Sequence, residues 1–458
     1  MYEHKKISRR KALSTIGKIA ITAVVAGAVA GVGGYYAGSA IAPAKTVTKK
    51  ITITTKVGTP TTVTKTVAGT PTTITKTVTK TVTKTITQTP TYVFKPKKRY
   101  KWGLAPYYID DDWYRTDVMG AKYYADMRGY ELVVQNPHGK IEEQIKQIRY
   151  MVTGMGIEGL IVTPCDLVVI VDTLEWVKDQ GVPIIATFYD VDTDAVDLSI
   201  IPDFHFIGKR MAEELIKRAK KDGVGISGPV FIVTGPSVDY QSKTLTEGEM
   251  EYLKNYPDLE VIRLECPNWG TDEAISRVVE GYHGYGRPFA ILANNMTTGV
   301  GIVEGVKTAG IAVPRGKEGH VYLASFDGCK SIQDAMEEGL LDCFADIANP
   351  HIDCIAQDLL CIIKEQGVDA LPDVGTTIIS DPSKPFGPQP DGTWNLPQAQ
   401  KTIKGVNPWA LAPWAPAKVT MYKNYHRRLN TGASIVIPET LPEFKKYSWV
   451  KLVEAWLG

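Results

Sequence analysis

Between His4 and Ile109 the sequence contains no aspartate or glutamate. Residues 1–109 hold 19 Lys/Arg against the single acid Glu3, and the remainder holds 33 against 49. The net charge of +2 over 458 residues therefore hides a basic N-terminal part and an acidic body. Such segregation points to two environments. The basic part suits anionic lipid or an acidic cell-surface layer. It does not suit nucleic acid, because its lysines sit among Thr and Val with no helix-turn-helix pattern. Cysteine is absent before position 165, and Cys165, Cys266, Cys329, Cys343, Cys354 and Cys361 form no CxxC. No histidine stands at zinc-ligand spacing, so no metal or cofactor is expected. The thiols read as small buried hydrophobes, with one or more disulfides as the alternative that export permits. GxSxG, HExxH and GxxxxGKS are also missing, so there is no candidate catalytic residue and an enzyme is the weakest reading. Asp110-Asp111-Asp112 is no metal motif, since three consecutive side chains cannot converge on one ion.

What is present begins with "HKKISRRKALSTIGKIAITAVVAGAVAGVGGYYAGSAIAPAK". Basic residues lead, and Ile19 to Ala44 then runs uncharged for 26 residues. A membrane span needs about 20 apolar residues. Ser8-Arg9-Arg10-Lys11-Ala12-Leu13 resembles a twin-arginine export signal, with Arg9 and Arg10 as the pair and Ala12 in place of the usual Phe. Charge before the apolar run keeps that end cytoplasmic and places the rest outside. Residues 1–45 are thus an export signal or a membrane anchor, with Ala40-Ile41-Ala42 and Ala42-Pro43-Ala44 as cleavage candidates.

From Thr46 to Thr91 threonine alternates with Val, Ile or Lys, broken by Gly58-Thr59-Pro60, Gly69-Thr70-Pro71 and Thr89-Pro90. Alternating β-branched residues favour extended backbone, and without large apolar side chains no core can form. Residues 46–99 read as a Thr/Lys-rich stalk whose lysines resist self-pairing, with a β-rich adhesive filament as the alternative.

From Lys101 short apolar strands alternate with amphipathic helices: "KWGLAP", "YELVVQN", "IEGLIVTP", "VPIIATFY", "PVFIVTG", "LEVIRLEC", "FAILANN", "HVYLASFD" and "DCFADIA" are the strands. This texture predicts parallel sheets covered on both faces, and its length fits two of them. Ligands bind beyond the carboxyl ends of such strands. There stand Tyr107, Tyr108, Asp111, Trp113 and Tyr114; Cys165; Phe188, Tyr189 and Asp190; Trp269; Asn294 and Asn295; and Phe326 and Asp327. Each residue alone suits a helix cap or turn. Their recurrence at one topological point suits a sugar, whose C–H faces pack on rings and whose hydroxyls donate to carboxylates.

The ordered series Gly129-Tyr130-Glu131-Leu132, Gly159-Leu160-Ile161-Val162-Thr163-Pro164-Cys165-Asp166, Gly181-Val182-Pro183-Ile184-Ile185, Asn295 to Thr308-Ala309-Gly310, and Phe326-Asp327-Gly328 resembles the type I periplasmic binding proteins of ribose and other sugar ABC importers. The resemblance covers roughly residues 101–380. It implies an α/β, two-lobed fold: two doubly wound parallel sheets joined by a three-segment hinge. It implies a sugar-like ligand and ABC permease subunits as partners, while attachment to the membrane is expected from the apolar N-terminal segment. By the same resemblance Asp111, Trp113 and Tyr114 line the first lobe's side, and their strand-end positions add Tyr108, Tyr189 and Asp190 to the expected site. Lys243, Trp269, Asn295 and Asp327 come from the second lobe and Asn349 from a crossover, and Phe326 joins them by its strand-end position. Phe188-Tyr189 departs from the family's usual Asp-Arg pair, and the crossover Gln is replaced by Asp346 or Asn349.

The expected lobes are 100–201 with 349–372, and 202–348 with 373–380. Residues 381–458 are expected to wrap as Pro/Trp-rich coil, with Trp409 and Trp414 as packing residues. The expected function is an extracellular solute-binding protein. The alternatives are a surface receptor for a sugar-like or nucleoside signal, or a structural or adhesive surface protein.

Overall fold

A computed structural model describes residues 95–457, except 348, 399–401 and 410–411, together with the backbone of four strands nearer the N-terminus. The expected export signal, including Arg9 and Arg10, lies outside the described residues. Residues 1–91 and 92–458 form separate units.

In the first unit, β1 (Lys49–Thr55) pairs antiparallel with β4 (Lys80–Ile86), and β2 (Thr61–Lys65) with β3 (Thr72–Lys76). The tract was expected to resist self-pairing, yet it pairs. The register explains how: every lysine in these ladders stands opposite Thr or Ile, never another lysine. Directly opposed like charges are what destabilise a ladder.

The second unit opens with β5 (Lys101–Ala105), α1 (Asp112–Arg128), β6 (Glu131–Val134), α2 (Ile141–Thr153), β7 (Gly159–Val162), α3 (Val171–Asp179), β8 (Ile184–Thr187) and β9 (Leu198–Pro202). Then follow α4 (Phe204–Lys221), β10 (Gly228–Thr234), α5 (Tyr240–Leu253), β11 (Leu259–Glu265), α6 (Thr271–Tyr285), β12 (Ala290–Ala293), α7 (Met296–Thr308), β13 (Tyr322–Phe326), α8 (Lys330–Glu337) and β14 (Cys343–Ile347). After α9 (His351–Gln366) come β15 (Thr377–Ile379), β16 (Gly387–Pro388), β17 (Trp394–Asn395), β18 (Ala417–Tyr422), β19 (His426–Thr431), β20 (Ala433–Val436), α10 (Leu441–Phe444) and α11 (Trp449–Trp456).

The strands form two sheets, of order β16-β17-β15-β18-β19-β9-β8-β7-β5-β6 and β11-β10-β12-β13-β14-β20. β5 to β9 are mutually parallel, as are β10 to β14, which is the expected two-lobed, doubly wound arrangement. Strands β7, β8 and β12 to β14 are buried throughout, because helices cover both faces. On α4, Ile207, Met211, Leu215 and Ile216 fall on one stripe and are buried. Each such side chain contributes about 1.5–3 kcal/mol of hydrophobic stabilisation.

The chain passes between the sheets at Pro202–Phe204, Ile347–His351 and Thr431–Ala433. The first and third passages are tied together, since Asp203 N donates to Thr431 O at 2.9 Å. Two expectations change here. Residues 377–379 pair in the first lobe's sheet rather than the second. The tail is not coil: β18 and β19 extend the first sheet beside β9, and β20 closes the second beside β14. Trp409 and Trp414 are buried, as packing residues. The tail also adds a fourth passage. Phe444 of α10 stacks edge-on against Phe344 in the second lobe, whereas Trp456 of α11 packs on Tyr123 of α1 in the first. All six cysteines are free thiols, four of them buried, in keeping with the small-hydrophobe reading.

Candidate functional site

In the first sheet β5 lies between β6 and β7, and in the second β10 lies between β11 and β12. Both are points where the strand order reverses, which opens a crevice at the strands' carboxyl ends. A cavity of about 600 Å³ occupies that place, lined from both lobes.

The first-lobe wall follows β5. Asp111 caps α1: its Oδ1 accepts from the Tyr114 amide at 2.8 Å, and its Oδ2 from the Tyr108 hydroxyl at 2.7 Å. Both oxygens are therefore engaged, and Asp111 acts mainly as a support for its neighbours. The Tyr108 phenol is pushed well above its ordinary range by burial first, then by the Asp111 bond and charge. It stays a neutral hydroxyl at physiological pH. Rings then contact in series: Tyr108 to Tyr114 at 4.6 Å, Tyr114 to Trp113 at 5.0 Å, and Trp113 to Phe188 at 5.5 Å. These offset and edge-on contacts fix the rings as a rigid apolar face. The Trp113 indole N–H is covered and donates to no described residue.

The second-lobe wall is built on close approaches. Trp269 follows β11, and its ring lies over Gly235, where an added Cβ would stand 2.1 Å from the indole. Only glycine leaves room for it. Asn295 caps α7, its Oδ1 accepting from the Thr298 amide at 2.8 Å and the Thr298 hydroxyl at 2.7 Å. Its amide nitrogen donates to no described residue, so it remains available to a ligand. Asp327 Oδ1 is covered and accepts no hydrogen bond from the described residues. Burial, then the neighbouring carboxylates of Asp346 and Asp111, hold the Asp327 carboxyl well above the usual range. Beneath it, Asp346 accepts from Gly328 N at 3.0 Å, and burial pushes its pKa up to about 7. A desolvated carboxyl without a partner is costly unless something completes it.

Phe188, Trp269 and Asp327 all have positive φ, at 65°, 56° and 67°, and all line the cavity. Strained non-glycine backbone of this kind gathers where a site is held in a set shape. Rigid rings, one unpartnered carboxyl and one free amide make a receptacle for a small molecule with both apolar faces and hydroxyls.

Nine residues expected from the sequence line this cavity: Tyr108, Asp111, Trp113, Tyr114, Tyr189, Trp269, Asn295, Phe326 and Asp327. Three do not. Lys243 is exposed on α5. Asp190 turns away, into an ion pair with Arg428 at 3.2 Å and a bond from the Ser199 hydroxyl. Asn349 stands behind the wall, its Nδ2 donating to the Trp113 carbonyl at 2.8 Å. Sequence reasoning missed Asp239, Tyr240 and Gln241, which line the cavity just beyond β10. They lie at the same topological position as the other lining residues, so the strand-end rule applied to "PVFIVTG" would have reached them. Burial raises the Asp239 carboxyl, opposed by the N–H groups of Ser242 and Gln241. Gln241 donates to the Asn294 carbonyl at 2.9 Å.

Comparison with known proteins accords with this geometry. The chain is 25% identical over 192 residues to a xylitol-binding protein of Mycolicibacterium smegmatis, covering 42% of this chain and 53% of that protein. It thus spans about half the length of that relative. It is 22% identical over 230 residues to a D-apiose import binding protein of Actinobacillus succinogenes, covering 50% of this chain and 70% of that one. A solved periplasmic ribose ABC transporter from Conexibacter woesei shares the fold with TM-score 0.58 at 16% identity, over 78% of this chain and 98% of the other. The profile of the periplasmic binding protein domain matches residues 102–359, more than half of the chain. The match runs from β5 through most of α9, so it takes in the parallel strands β5 to β14 and every strand end that lines the cavity. The chain belongs to the periplasmic binding protein domain family.

Proposed function

We propose that this protein captures a sugar or related polar small molecule outside the cell membrane and delivers it to the permease of an ABC-type importer. One observation carries the reading. The covered, unpartnered carboxyl of Asp327 shares a cavity with the rings of Trp113 and Trp269 from opposite lobes. Sugar hydroxyls complete such a carboxyl, and sugar C–H faces pack on such rings. The names of the two relatives, a xylitol-binding protein and a D-apiose import binding protein, support the same class. No bond need be made or broken. The working step is closure of the lobes, biased by contacts that the ligand makes to both. The apolar N-terminal run holds the protein at the membrane, and the Thr-rich tract keeps the binding unit near its permease at raised effective concentration.

Trp113 and Trp269 line the cavity, so ligand should change the tryptophan emission of the purified chain. Titration with pentoses, hexoses, disaccharides and nucleosides tests the reading. A saturable change with one sugar class supports it. A response to nucleosides alone favours a receptor, and silence from folded protein across the panel removes the proposal.

A further inference from the structure

Beside the cavity lies a second chamber of about 510 Å³. Asp111, Trp113, Met296 and Thr297 line both spaces and so form a shared wall. Two of these residues come from the start of α1 in the first lobe and two from the start of α7 in the second. The wall therefore has no continuous backbone across it, and separation of the lobes parts it.

The far side of the chamber is α11. Trp449, Leu452 and Trp456 of this helix are buried in packing. Val450 and Val453, three residues apart and so on one face, are half-buried and turned to the chamber. Val300 of α7 joins them. The charged groups at the chamber's edge are paired elsewhere: Lys330 with Asp334 at 2.6 Å, Asp112 with Arg115 at 2.7 Å and Glu454 with Lys451 at 3.1 Å. What remains is mainly aliphatic and aromatic, with Thr271, Ser331 and Cys329 among it and the unpartnered Trp113 N–H in the wall between. The family profile ends at residue 359, so the α11 side of the chamber comes from this chain's tail while the rest of its lining lies within the matched range.

We propose, resting on the sugar-binding reading above, that the ligand is a glycoside with an apolar aglycone rather than a free sugar. The sugar ring sits in the cavity against Trp269 and Asp327. The alkyl or aryl group reaches past Trp113 and Met296 into the chamber under α11. It enters while the lobes are apart, and closure forms the wall around the link between the two parts. An aryl ring that leaves water for such a surface gains on the order of 30-fold in affinity.

The test is calorimetric titration of the full-length chain with matched pairs: each free pentose and hexose against its phenyl and hexyl glycosides. For the sugar that binds, the glycoside should bind about 30-fold more tightly. Val453→Trp, which fills the chamber, should abolish that gain and leave the free-sugar affinity unchanged, with circular dichroism confirming the fold. A free sugar that binds as tightly as its glycosides in the parent protein overturns the inference and leaves the sugar reading standing. A Val453→Trp variant that weakens both alike also overturns it. Failure of every sugar and glycoside removes both readings together.

Discussion

The indole N–H of Trp449 donates to Oδ2 of Asp346 across 3.2 Å. Trp449 begins the C-terminal helix α11, and Asp346 lies near the end of β14, where the chain passes between lobes. The same Asp346 oxygen accepts from Gly328 N, next to Asp327 in the cavity wall. One carboxyl thus connects the tail, the hinge and the binding site.

Stability should fall as pH rises towards neutrality, partly through this group. Burial holds Asp346 at about 7, above its ordinary value, so the native state keeps a proton that the unfolded chain releases. The contribution is complete below about pH 4 and is lost as pH approaches 7. A tenfold difference in proton affinity between the folded and unfolded chain is worth about 1.4 kcal/mol, so the contribution amounts to a few kcal/mol. Asp346→Asn keeps an acceptor for Trp449 and should flatten the fall. Tm measured in half-unit pH steps for both proteins checks this; parallel slopes contradict it.

Trp449→Phe should lower stability by about 1–3 kcal/mol, because it leaves the buried Asp346 short of a donor. Chemical denaturation at pH 7.5 reads the difference, and at pH 5, where the carboxyl is protonated, the loss should shrink.

Gly235→Ala should abolish ligand binding while the protein still folds. The new methyl meets the Trp269 ring and must push it off its place in the cavity wall. Overpacking of this kind costs about 1–3 kcal/mol. A variant that melts a few degrees lower and binds normally would show that Trp269 does not shape the site.

Lys243→Ala should leave affinity within about twofold of the parent, since Lys243 is exposed and absent from the cavity. Asp239→Asn and Tyr240→Leu should each weaken binding about tenfold or more, since both residues line it. The opposite ranking would restore the position that the sequence favoured.

Much of the fold is legible in the sequence, for reasons that particular residues show. Apolar strands such as Gly159–Val162 and Ala290–Ala293 announce parallel sheets because helices cover both their faces. Trp113, Trp269 and Asp327 can be placed at the cavity because each follows a strand whose carboxyl end opens on the crevice. Asp190 was misplaced because its partners, Arg428 and His426, come from a tail more than 230 residues away, which no local pattern records. The tail strands were missed for a related reason. Ala417–Tyr422 buries only alternate residues near its start and is held by pairing with β19 and β15, so tertiary context rather than propensity makes it a strand.

The central claim is that one cavity captures a sugar through Asp327 and the facing rings. Calorimetric titration of the parent chain and of Asp327→Ala, with the sugar panel, tests it most directly. The account predicts one-to-one binding of at least one sugar by the parent and a loss of at least about 30-fold in the variant, the cost of removing a group that bonds the ligand while desolvated. Equal affinities in the two proteins, or no binding by a folded parent, would contradict it.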